Sequence, residues 1–296
     1  MDLSAIGSVL VVGAGQMGQG IAQVCAAAGY HVALSDQTKE LAERGVAGIA
    51  SALDRLVRKQ KLPATEASDW LTRIAPRGAD EPVFDVDLAI EAVSEDPDLK
   101  ARLFRNLDAR LRPGVPLFSN TSSISITRLG ACTGRPELVL GMHFMNPVPV
   151  MQLVEVVRGL ETSPSTLALA HALAGKLGKT TVSSEDHPGF ILNRILIPFL
   201  NEACFLLQEG VATVADIDQG VRLGLKHPLG PLALADLIGL DTVLAIARVL
   251  ERELGEDKYR PAPLLQKLVS AGRLGQKSKL GFYDYGSDPP TPASLR

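Results

Sequence analysis

Apolar and polar positions along the chain fall into two regimes. Up to about residue 183, short β-branched and aliphatic runs alternate with stretches whose apolar residues recur every three or four positions. Strands are predicted over residues 8–12, 31–35, 73–76, 86–93, 116–119, 153–157 and 180–183, and in the run that carries His143 to the Asn146-Pro147 turn. Helices are predicted from the glycine-rich turn after residue 12 up to Gly29, then over 38–60, 97–111, a short span through Leu129, and 164–177. Strand-helix alternation of this kind predicts an α/β domain with a mostly parallel sheet. Beyond the turn Asp186-His187-Pro188-Gly189 the period is helical almost throughout, over 190–209, 214–223, 231–254 with a break near Gly239, and 263–271. Pro198 should kink the first of these. The boundaries expected are therefore 1–185 for the sheet domain and 186–296 for an all-α domain. Residues 287–296, with three prolines and no apolar period, are expected to be disordered.

One turn carries chemistry as well as geometry. The first strand runs straight into Gly13-Ala14-Gly15-Gln16-Met17-Gly18, a helix follows, and the second strand ends in Asp36, eighteen positions after the last glycine. A lone G-x-G-x-x-G is weak evidence, but strand, tight turn, helix, strand and acid together define a dinucleotide site of the Rossmann type. Gly13 permits the turn, Gly15 lets the backbone approach a pyrophosphate, Gly18 lets helix and strand pack, and the helix start supplies positive dipole. Asp36 can accept from both hydroxyls of an adenosine ribose and would repel a 2′-phosphate, which favours NAD over NADP.

The second candidate is a pair. His143 ends one apolar run, and Glu155 lies twelve residues on inside another, where a carboxylate needs a partner. If they meet, Glu155 holds one ring nitrogen of His143 as N–H and leaves the other to accept a proton, as a general base requires. The bland alternative is a core histidine bonded to a carbonyl and an edge-strand glutamate facing water. Asn120-Thr121-Ser122-Ser123 opens from the end of a strand, where Ser122 or Ser123 can cap the next helix or bind substrate. No G-x-S-x-G surrounds these serines, which argues against a hydrolase nucleophile. Glu95 and Lys100 lie where a strand-to-helix turn would face a bound nicotinamide. Asn193, an amide among apolar residues, needs hydrogen-bonding partners from protein or ligand. Arg55, Arg58, Lys59 and Lys61 form either a solvated helix end or a receiver for phosphates.

Composition narrows the ligands. The 296 residues are 46% hydrophobic, and 30 basic against 33 acidic side chains give a net charge of −3, without the cationic excess that nucleic acid or an anionic membrane demands. Cys25, Cys132 and Cys204 are far apart, which suits reduced thiols in a cytoplasmic protein. The five histidines show no metal-ligand spacing, so no metal is expected. The chain opens with neither a basic n-region nor a long apolar h-region, and its greasiest segment, 190–207, is interrupted by Asn193, Arg194, Pro198, Asn201 and Glu202.

Taken in order, Gly13–Gly18, Ser119-Asn-Thr-Ser-Ser123, His143-Phe-Met-Asn-Pro147, Leu153-Val-Glu155 and Pro188-Gly-Phe-Ile-Leu-Asn-Arg194 resemble the L-3-hydroxyacyl-CoA dehydrogenase family over roughly residues 9–285. The resemblance implies an NAD-dependent enzyme that interconverts an L-3-hydroxyacyl-CoA and a 3-oxoacyl-CoA, and a homodimer formed through the helical domain. It makes His143 the general base and Glu155 its support, with Ser122 and Asn193 hydrogen-bonding the reacting oxygens. It assigns Glu95, Lys100, Ser122, Asn146 and Lys277 to the cofactor and Lys59 to coenzyme A. The chain departs from the family at Ala52, where relatives often carry a serine that contacts coenzyme A; Ser51 is the neighbouring hydroxyl able to take its place. It also carries Met145 where many relatives have an aromatic residue.

Overall fold

The computed structural model describes residues 3–81 and 85–294, which divide into two compact units, residues 1–187 and 188–296. In the first, eight strands form one sheet: β1 (Ser8–Val12), β2 (His31–Asp36), β3 (Ile74–Gly78), β4 (Leu88–Glu91), β5 (Leu117–Ser119), β6 (Val139–Phe144), β7 (Leu153–Arg158) and β8 (Thr180–Glu185). Their spatial order is β3-β2-β1-β4-β5-β6-β7-β8. Strands β1 to β6 are mutually parallel; β7 runs antiparallel to β6, and β8 is parallel to β7. Val9, Val11, Leu88 and Ile90 are fully buried, as strands covered on both faces require.

The connections place helices on the sheet: α1 (Gln16–Ala27), α2 (Lys39–Arg58), α3 (Ala64–Thr72), α4 (Pro97–Arg110), α5 (Ile126–Gly130) and α6 (Pro164–Lys176). Helix α2 ends at Arg58, and the chain turns at Gln60, whose φ is 55°, ahead of Leu62-Pro63. Helix α3, absent from the sequence reading, begins directly after Pro63, with Glu66 in its first turn. The strand pattern over 86–93 narrows to four hydrogen-bonded residues in β4. The cap expected from Ser122 or Ser123 belongs instead to Ser125, whose Oγ accepts the Arg128 N–H at 3.2 Å. Asp186 joins it by accepting the N–H groups of Ile126 and Thr127 at 3.0 and 2.8 Å, which ties the end of this unit to the start of α5.

The second unit is helical: α7 (Leu192–Gln208), α8 (Val214–Gly224), α9 (Pro231–Ile238), α10 (Leu240–Leu254) and α11 (Pro263–Ser270) around Leu200, Leu232, Val243, Leu250, Leu265 and Phe282. Helix α7 continues through Pro198, and α9 gives way to α10 at Gly239, whose φ is 102°. Two buried carboxylates organise the other end of the unit. Asp218 accepts from the start of α9 at Leu232 and Ala233, and Asp236 accepts the N–H groups of Phe282 and Tyr283.

The disorder expected of the last ten residues is not what residues 287–294 adopt. Strand β10 (Thr291–Pro292) pairs antiparallel with β9 (Tyr283–Asp284), the Ala293 N–H reaches Phe282 O at 2.9 Å, and Arg273 holds the Ser294 carbonyl at 2.7 Å. A two-residue edge ladder needs no apolar period, and its one proline sits on an edge strand, where a missing N–H is tolerated. Residues 295–296 lie outside the described residues.

Candidate active site

The strand order reverses between β1 and β4, which opens the crevice at the carboxyl ends of the strands where open α/β sheets bind ligands. Gly13 stands in that gap. Its φ is 105°, and a Cβ there would lie 2.5 Å from Ala92 O, so only glycine lets the chain turn beside β4. A Cβ on Gly18 would lie 1.7 Å from Gly13 O, whereas one on Gly15 would meet nothing within 4 Å. Gly15 is also the N-cap of α1 and provides no side-chain cap for the first-turn N–H groups. A glycine kept where no protein atom needs the room, at a helix start with no side-chain cap, fits a pyrophosphate. Asp36 closes the loop by accepting the Ala14 N–H on Oδ2 at 2.7 Å and the Gln37 N–H on Oδ1.

Three strands away the antiparallel register of β6 and β7 sets His143 directly opposite Glu155. Cross-strand partners project to the same face, and Glu155 Oε2 lies 2.7 Å from His143 Nδ1. The carboxylate is fully buried and the imidazole is 9% exposed. An ionised acceptor at that distance makes a charge-assisted bond, which favours a proton on Nδ1 and directs further proton exchange to Nε2. Next to this pair Asn120 Oδ1 accepts the Phe144 N–H at 2.8 Å, tying the end of β5 to the end of β6.

A second polar cluster knits the loops after β4 and β5. Glu95 Oε1 accepts the hydroxyl of Thr121 at 2.6 Å and the N–H groups of Ser122 and Ser123 at 2.8 and 3.0 Å, with both serine hydroxyls at 3.1 Å. Burial works against the charge on Glu95, but the Lys100 ammonium, the Thr121 hydroxyl and the Ser122 N–H outweigh it and hold this carboxyl below its ordinary value. Lys100 does not reach into the open. Its Nζ is buried against Glu91 Oε1 at 2.6 Å and Glu95 Oε2 at 3.2 Å, with Val93 O at 3.4 Å. Glu91, at 1% exposure, also accepts the Val93 N–H and the Ser119 hydroxyl. The sequence reading passed over Glu91 as part of a strand. Its signal was an acid directly after the apolar run Leu88-Ala89-Ile90 with a lysine nine residues on, the same kind of clue that singled out Glu155.

The remaining candidates lie on other elements of each unit. Asn146 is exposed at the end of the β6 turn, where its Oδ1 accepts from Gln16 Nε2 at 3.1 Å, so it joins the glycine-rich loop. Of the loop's two apolar side chains, Ala14 is buried in the core of the sheet unit and Met17 packs against it. Ser51 and Lys59 are both exposed on α2, Lys59 as its C-cap. In the helical unit Asn193 is buried on the first turn of α7, and Lys277 pairs with Asp241 at 2.6 Å. Among the described residues no group of three or more His, Cys, Asp or Glu is placed to hold a metal ion, and no helix is long and apolar enough to cross a membrane.

A doubly wound sheet with a nucleotide-ready turn at its switch point and an acid-backed imidazole on the same edge defines a class: the NAD-dependent dehydrogenases with a Rossmann-type domain. Comparison with known proteins narrows it. Residues 8–187 match the family described as 3-hydroxyacyl-CoA dehydrogenase, NAD binding domain, and residues 189–285 match its C-terminal domain. The chain belongs to the 3-hydroxyacyl-CoA dehydrogenase family. It is similar to a probable 3-hydroxybutyryl-CoA dehydrogenase of Bacillus subtilis, 50% identical over 95% of this chain and 98% of that protein, and to one of Deinococcus radiodurans, 52% identical over 93% and 99%. Among solved structures it resembles an (S)-3-hydroxybutyryl-CoA dehydrogenase from Ralstonia eutropha, with a TM-score of 0.92 and 47% identity over 96% of this chain and 100% of that one.

Proposed function

We propose that the chain interconverts an L-3-hydroxyacyl-CoA and a 3-oxoacyl-CoA with NAD, using His143 as the general base. The observation that carries this reading is the 2.7 Å contact between His143 Nδ1 and the buried Glu155. With Nδ1 held as a donor to Glu155, Nε2 takes the proton of the substrate hydroxyl. Glu155 then faces an imidazolium, whose charge it stabilises in a site with little water. Bound NAD supplies the hydride acceptor for C3. In the reverse direction the same imidazolium returns its proton to the carbonyl oxygen.

The other assignments follow from the same reading. The Gly13–Gly18 turn, with Ala14, Gln16 and Met17 between its glycines, holds the pyrophosphate, and Asp36 holds the adenosine ribose. Glu95, Ser122, Asn146 and Lys277 line the cofactor, with Lys100 behind Glu95. Ser122 and Asn193 hydrogen-bond the reacting oxygens, while Lys59 and Ser51 contact coenzyme A. Residues 1–185 act as the NAD-binding domain and 186–296 as the substrate and dimerisation domain. Exposed Ile195, Leu223, Leu225 and Leu237 on the helical unit support a homodimer through that surface. Three free cysteines support a cytoplasmic setting, and the small net charge speaks against nucleic acid.

Initial rates with acetoacetyl-CoA and longer 3-oxoacyl-CoA thioesters, run with NADH and NADPH in parallel, test the proposal. The similar proteins named for 3-hydroxybutyryl-CoA make the four-carbon thioester the first substrate to assay. Turnover should be faster with NADH. Binding of NADH without reduction of any thioester would overturn it.

A further inference from the structure

Glu91, Lys100 and Glu95 form a chain of charge beneath the loops that end β4 and β5. One ammonium stands between two carboxylates, at 2.6 and 3.2 Å. The inner two members are 1% exposed and Glu95 is partly open. Two acids and one base leave the cluster with a net charge of −1, close to the sheet edge that carries Ser122 and the turn at Gly13. A buried ion pair is costly to assemble and is seldom the most stable way to fill a core. The packing of this core does not call for it, since Leu88, Ala89 and Ile90 in the same strand are ordinary apolar residues.

We infer that Glu91 is a positioning residue that, through Lys100 and Glu95, keeps one uncompensated negative charge beside the nicotinamide site and thereby favours the oxidised cofactor over the reduced one. This rests on the NAD-dependent reading above. The nicotinamide ring carries +1 in NAD⁺ and none in NADH, so a fixed negative charge on the protein tightens one form and leaves the other nearly untouched. The Thr121 hydroxyl and the N–H groups of Ser122 and Ser123 hold Glu95 ionised together with Lys100, and Glu91 holds Lys100 away from the cofactor. Without Glu91 the ammonium would neutralise Glu95, and the excess charge would vanish. Glu91 also accepts from Ser119 and Val93, so the same carboxylate fixes the ends of both strands.

The prediction concerns charge count rather than integrity of the loop, and three variants of the full chain separate the two. Dissociation constants for NAD⁺ and NADH are measured by calorimetry or fluorescence in the absence of substrate. Glu91→Gln brings the cluster to zero, and the ratio Kd(NAD⁺)/Kd(NADH) should rise about three- to tenfold, the scale of one unit charge acting near a protein surface. The double variant Glu91→Gln with Lys100→Gln restores −1, and the ratio should return to within about twofold of the parent even if both affinities weaken. Glu95→Gln, which leaves Glu91 and Lys100 as a neutral pair, should raise the ratio as Glu91→Gln does, which keeps the test open if Glu91→Gln does not fold. A ratio unchanged in both single variants, or shifted equally in the single and double Glu91 variants, overturns the inference while leaving the NAD-dependent reading intact. Failure of the parent protein to bind either form overturns both.

Discussion

Replacing Glu155 by glutamine tests the His143–Glu155 pair most sharply, because it removes one charge and almost no volume. In the parent protein the carboxylate faces an imidazolium once the hydroxyl proton has moved. Opposite charges roughly 4 Å apart in an effective dielectric of about 20 attract by about 4 kcal/mol. A glutamine oxygen keeps a neutral hydrogen bond to Nδ1 worth about 1 kcal/mol. The part of the attraction that survives solvent reorganisation is then about 2–3 kcal/mol, so turnover should fall about 30- to 150-fold. Folding should suffer far less, since exchanging a buried carboxylate for an amide of the same shape leaves no cavity and removes a desolvated charge. The assay is kcat for acetoacetyl-CoA reduction at saturating NADH, with Kd for NADH and Tm measured on the same preparation. Turnover within threefold of the parent, in a protein of unchanged Tm, would refute the role given to Glu155 and leave His143 without its electrostatic support.

Further outcomes follow from the same geometry. His143→Ala should lower turnover by about 10²- to 10⁴-fold with NADH binding retained, the range for a positioned acid or base; single-turnover kinetics would check it. Gly15→Ala should alter stability by less than about 0.5 kcal/mol, since its Cβ meets only open space, yet should weaken NADH binding more than tenfold. Gly18→Ala, whose Cβ would overlap Gly13 O, should cost about 1–3 kcal/mol in denaturant unfolding. Glu95 has a pKa below its ordinary value of 4.5, so its stabilising contribution is fully present above that value and is lost as pH falls through the lowered one. The Tm difference between the parent and Glu95→Gln should therefore be largest near neutrality and shrink below about pH 4.5.

Much of the molecule was legible in the order of its residues because the signals are local. The turn at Gly13, Gly15 and Gly18 is read by backbone sterics within a few residues, and Asp36 falls at the strand end that the same unit must produce. The helical unit could be read from its 3.6-residue period, including the break at Gly239. His143 and Glu155 stood out as polar groups in runs too apolar to be solvated.

What the sequence could not decide was everything set by partners far along the chain. An apolar run such as residues 153–157 has the same pattern whether it lies parallel or antiparallel, and only the antiparallel register of β7 against β6 brings Glu155 opposite His143. The cap expected of Ser122 or Ser123 passed to Ser125 because Glu95, some 27 residues earlier, claims those serines. Glu91 stood out only as an acid in an apolar run, and its role is explained by the ammonium of Lys100 that meets it in space. Residues 287–294 found a ladder because β9 left an edge to pair with, a fact held by no residue of that segment. Periodicity and turn chemistry are properties of neighbours in the chain. Register and charge pairing are properties of neighbours in space, and they come into being only when the strands have packed.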